Sequence, residues 1–119
     1  MEWKMLEKNY LTWMQEEKKQ VEQRMNALKL QGCGDDAMLE KIRLNIYDAF
    51  EAVILAGEKQ PVGQEIGFCL NRLEGIPAIW EEKMKKAQIH GNAREVAIES
   101  VKIETARHLR EKFIKGMEA

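Results

Sequence analysis

The chain has 119 residues, 45% hydrophobic and 33% charged, with two prolines and a net charge of −1. That length supports one domain, residues 1–119, whose core needs neither disulfides nor metal, and the composition excludes a disordered or low-complexity tract. Near-neutral charge excludes strong non-specific attraction to nucleic acid or to an acidic membrane. The charge is uneven, however. Residues 83–119 carry nine Lys/Arg against five Glu, a local charge of +4, while residues 1–60 carry nine against eleven acids. Glu residues interrupt the basic ones throughout, as on a solvated face of mixed charge.

Cys33 and Cys69 are too few for a disulfide scaffold, and no signal peptide is legible before Trp3. A cytoplasmic protein with free thiols is expected. The longest apolar run, Ala52 to Ala56, falls far short of the roughly 20 residues of a membrane span.

The first helix is expected from Glu2 to Leu30, closed by Gln31-Gly32-Cys33-Gly34, where glycine can take the left-handed conformation of a helix C-cap. Trp3, Leu6, Tyr10, Trp13, Met14, Val21, Met25 and Leu28 fall within an arc of about 120° and should face a core. Glu17 and Arg24 lie on that same stripe. They are the candidate interior polar site, either fixing helix pairing or receiving an anionic ligand at Arg24.

Asp35 or Asp36 should cap the second helix, which then runs to Ala56, before Gly57. Met38, Leu39, Ile42, Ile46, Ala49, Phe50 and Val53 make its main stripe, with Leu44, Tyr47, Ile54 and Leu55 on the other side. A helix apolar nearly all round lies between two neighbours or at a subunit interface. The second face, together with Trp3, is therefore the candidate interface, and homodimerisation is its simplest use.

Pro61 suits the first turn of a third helix that continues through Val62, Ile66, Cys69, Leu70 and Leu73. Pro77 would lose the bond to the Leu73 carbonyl, so this arm should kink or break at Gly75-Pro77 before Ile76, Trp80, Met84 and Ala87 resume the stripe. Gly91 ends the arm. Asn92, with Glu95 three residues on, forms a variant capping box for the last helix, which Gly116 should close before a three-residue tail. Short connections then predict an all-α, antiparallel up-down-up-down four-helix bundle.

Chemistry is sparse. Cys33, Cys69, His90 and His108 lack the paired spacing of a zinc site, and the Glu-x-x-His pairs of a di-iron bundle are absent. His108 is expected to pair with Glu104, four residues before it. No phosphate loop or nucleophile elbow occurs, and Thr12, Ser100 and Thr105 are the only hydroxyl residues besides tyrosine. No catalytic residue, metal or cofactor is therefore expected. Gln64 to His90 resembles a helix-turn-helix reader only weakly, because Glu81 and Glu82 open the supposed recognition helix and pair better with Lys85 and Lys86.

The expectation is a non-catalytic helical protein acting on itself or on another protein, without a membrane. A small-ligand-binding bundle with Glu17 and Arg24 inside is the alternative. Nucleic-acid binding through Lys102, Arg107, Arg110, Lys112 and Lys115 is the weakest reading.

Overall fold

A computed structural model describes residues 2–118 and shows five helices and no strand among them. These are α1 (Trp3–Leu30), α2 (Gly34–Glu58), α3 (Glu65–Gly75), α4 (Ala78–Ile89) and α5 (Ala93–Glu118). They make four arms of an all-α bundle, α3 and α4 sharing the third arm. Pairs such as Gln15 with Glu51 and Arg24 with Glu40 set α1 antiparallel to α2. Leu6 beside Gly116 and Glu17 with His108 set α1 antiparallel to α5.

Two corners follow the sequence closely. Gly32 (φ 77°) and Gly91 (φ 66°) are left-handed. Beyond each, an amide reaches back: Cys33 N–H donates to Leu28 O at 2.9 Å, and Asn92 N–H to Ala87 O at 2.9 Å. These paired bonds close both helices as Schellman motifs. Asn92 Oδ1 then accepts from Glu95 N–H at 3.1 Å, starting α5 as its spacing predicts.

Elsewhere tertiary packing overrides the local signals. Asp35 and Asp36 lie inside the first turn of α2, where they favour the helix dipole, and Cys33 holds the cap position without a side-chain bond. Gly57 does not end α2. It is interior, because a Cβ there would lie 2.5 Å from Cys69 Sγ and 3.2 Å from Trp3 Cη2. Pro61 does not open the third arm either: residues 61–64 form a turn, and α3 begins at Glu65. Gly116 is helical too, since a Cβ there would meet Leu6 Cδ1 at 2.9 Å. The expected tail is thus helix through Glu118, and Ala119 lies outside the described residues.

The third arm breaks where Pro77 requires it. Ile76 and Pro77 keep right-handed helical dihedrals, so the chain continues in the same sense, but α3 ends at Gly75 and α4 starts at Ala78. The two pieces then pack differently, α3 mainly against α2 and α4 against α5.

One continuous core joins α1, α2, α3 and α5. Leu6, Met14, Phe50, Ile54, Cys69, Leu73, Ala106, Leu109 and Phe113 are all essentially inaccessible there. Each large side chain so buried contributes about 1.5–3 kcal/mol. Tyr10 O–H donates to Leu109 O at 2.8 Å while its ring meets Phe113 edge-on at 5.3 Å, so its polar tip is satisfied inside the core. Burial drives that hydroxyl's pKa upward.

This core absorbs the candidate interface. Trp3 is 7% exposed, Leu44 6%, Tyr47 3% and Ile54 0%, and only Leu55, at 48%, faces solvent. The second face of α2 is interior because α2 lies between α1 on one side and α3 and α5 on the other. Trp3 is held by the space that Gly57 leaves, and its Nε1–H donates to Glu58 Oε2 at 2.5 Å. Lys4 also pairs with Glu58. The Lys4 ammonium, then the Trp3 N–H, lower the Glu58 carboxyl to about 2.

Candidate functional site

Glu17 and Arg24 are seven residues apart on α1, about 10 Å along one helix face. Both line one cleft of about 330 Å³, facing Arg43 and Tyr47 from α2 and Glu104, Thr105 and His108 from α5. The expected polar pair therefore belongs to a wider constellation. It sits at the rim of the interior: the Glu17 side chain is 24% exposed and that of Arg24 49%.

One end of the cleft holds a fixed acid–imidazole pair. His108 Nε2 lies 3.0 Å from Glu17 Oε1, and the ring packs against Trp13 with centroids 5.3 Å apart. His108 thus pairs with Glu17 on another helix, and Glu104, its expected partner, is left on the cleft wall. The i,i+4 spacing brings Glu104 near, but packing against Trp13 turns the imidazole toward α1.

The other end is cationic. Arg24 Nη2 and Arg43 Nη1 approach the two oxygens of Glu40 at 3.6 and 3.7 Å, distances of ion pairs without hydrogen-bond geometry. Arg43 Nε and Glu40 Oε2 are buried with no hydrogen-bond partner among the described residues. One carboxylate shared by two guanidiniums leaves most of their donors open to an added anion.

Two hydroxyls contribute between these ends. Thr105 Oγ1 donates to Val101 O at 2.7 Å, so toward the cleft it has only acceptor capacity. Tyr47 is raised to about 12, chiefly by burial and next by the negative charge of Glu17, against the pull of Arg43 and Arg24. It stays a neutral donor at ordinary pH.

The remaining sequence candidates are dispersed. Arg110 bonds Glu74 at 2.8 Å, Lys102 pairs with Glu99 at 3.3 Å, and Lys112 lies 5.5 Å from the Trp13 ring centroid. At 100° per residue these and Arg107 and Lys115 spread around α5 and form no single basic face. Cys33 sits at the α1–α2 corner, Cys69 in the core, His90 at the end of α4 and His108 in the cleft. Burial raises the Cys69 thiol to about 11. The helical pairing expected at Glu82 and Lys86 is present at 3.8 Å.

Glu99 escaped the sequence reading. It is 1% exposed, and its Oε2 has no hydrogen-bond partner among the described residues, while Lys102 Nζ lies 3.3 Å from Oε1. Its position on the α5 face shared with Ala106, Leu109 and Phe113 was a usable signal, since a carboxylate on a core stripe is anomalous.

No known protein family, curated protein or solved structure matches the chain. No helix among the described residues is long and apolar enough to cross a membrane.

Proposed function

We propose that the chain is a non-catalytic binding protein whose α1–α2–α5 cleft takes a small polar molecule carrying an anionic group. The observation that supports this reading is the convergence of seven polar side chains from three helices on one cleft of about 330 Å³. Arg24 and Arg43 would hold the anion, in the fork geometry that suits a carboxylate or phosphate. Glu17 and Glu104 offer acceptors to an amine or hydroxyl elsewhere on the ligand, and the Tyr47 hydroxyl offers a donor. Binding without conversion fits the hydroxyls: Tyr47 is held protonated, and the Thr105 proton is committed to the backbone.

The test is thermal unfolding of the purified chain with glutamate, succinate and inorganic phosphate, alongside native mass spectrometry for a co-purifying small molecule. Ligand at a hundredfold excess over Kd stabilises by about 2.7 kcal/mol, a readable rise in Tm. That rise should vanish in Arg24→Ala/Arg43→Ala. A bare protein that none of the three probes stabilises, or a rise that survives the double substitution, would overturn the reading.

A further inference from the structure

The end of the bundle where α1 turns into α2 and α4 into α5 carries an open apolar groove. Met38 and Leu39 on α2 face Ala93, Ala97 and Ile98 on α5 across about 310 Å³. Leu30 and Ile89, at the C-termini of α1 and α4, lie at the same end and are 90% and 80% exposed. Met38 and Leu39, which the sequence places on the core stripe of α2, are thus only half-buried. Half-buried apolar side chains along a groove, with two exposed ones at the same end of the bundle, leave apolar surface that association would cover.

The lips of this groove carry opposite charges on opposite helices, Asp35 on α2 and Arg94 on α5. Neither is in an ion pair among the described residues. Arg94 instead rests a guanidinium nitrogen 3.6 Å from Met38 Sδ, beside the apolar floor. A two-fold axis through the groove exchanges the lips, so that Asp35 of each copy meets Arg94 of the other. One acid and one base, on opposite sides of one apolar strip, is the pattern an isologous contact needs.

We infer that this groove is the docking surface for a second copy of the chain, in a two-fold dimer closed by two Asp35–Arg94 pairs. Ala93 and Ala97, one turn apart, let the partner's helix approach closely. The dimer leaves the Glu17–His108 cleft open, because that cleft lies along the side of the bundle.

Sedimentation equilibrium of the full chain, from micromolar to near-millimolar concentration, tests this. The wild type should show a reversible monomer–dimer equilibrium. Asp35→Arg and Arg94→Asp should each weaken it about tenfold or more, since each places two like-charged contacts in the interface. The double reversal D35R/R94D should recover most of the loss, because the swapped charges again face their opposites. Circular dichroism reports that each exposed variant remains folded. A monomer at every concentration, a dimer indifferent to either reversal, or a double variant weaker than both single ones would overturn the inference.

Discussion

The two ends of this bundle are built from the same kinds of residue and reach different degrees of closure. At the end holding Trp3, Gly57, α3 and Phe113, four arms surround one core, and glycines at 57 and 116 remove the side chains that would hold them apart. At the other end α4 has left α2 and packs against α5. Met38, Leu39 and Ile98 are there only half-buried, and Glu99 is buried beside a single lysine. The difference teaches that an apolar stripe closes only where a partner stripe reaches it, and the break at Pro77 decides how far α3 reaches. Both the polar cleft and the apolar groove lie toward the less enclosed end.

Matched truncations should expose that contrast most strongly. Phe113→Ala removes a fully buried ring and should destabilise the fold by about 3–5 kcal/mol, whereas Leu39→Ala, at the open groove, should stay under about 1 kcal/mol. Urea unfolding of both variants measures the difference, and equal losses would erase the distinction between the ends. A smaller effect of opposite sign is expected at Glu99. Replacing this buried, half-satisfied carboxylate by Leu should stabilise the protein by about 1 kcal/mol, while Lys102→Ala, which strands the carboxylate, should destabilise it. Loss of stability in Glu99→Leu would show that the carboxylate supports the open end.

The smallest effect belongs to the closed end and depends on pH. Glu58, lowered to about 2 by Lys4 and Trp3, contributes stability that is fully present above the ordinary carboxylate range near 4.5. That stability is lost as pH falls through 2. Glu7 acts in the opposite sense: burial first, and its bond to Glu58 next, raise its carboxyl, so its contribution declines as pH rises. Between pH 4.5 and 2 the wild-type Tm should therefore fall more steeply than that of Glu58→Gln. Parallel curves would remove Glu58 as the group responsible.

Much of the architecture was legible because helical spacing is a local property. The stripe from Trp3 to Val21, the corners at Gly32 and Gly91, the Asn92 cap and the break at Pro77 each follow from a few neighbouring residues. The polar cleft was legible in part. Glu17 and Arg24 stood out as charges on an apolar stripe, but Arg43, Tyr47 and Thr105 gave no such signal, being ordinary residues until two more helices pack against α1.

Composition and spacing thus determined an all-α chain of four arms, where most of them begin and end, and which polar residues interrupt the core stripe. Tertiary structure alone decided which face of α2 is inside, why Gly57 and Gly116 are glycine, that His108 turns to Glu17, and that Glu99 is buried. Periodicity places side chains on a wheel, but an amphipathic helix with two apolar faces has no preferred inside until its neighbours occupy one of them.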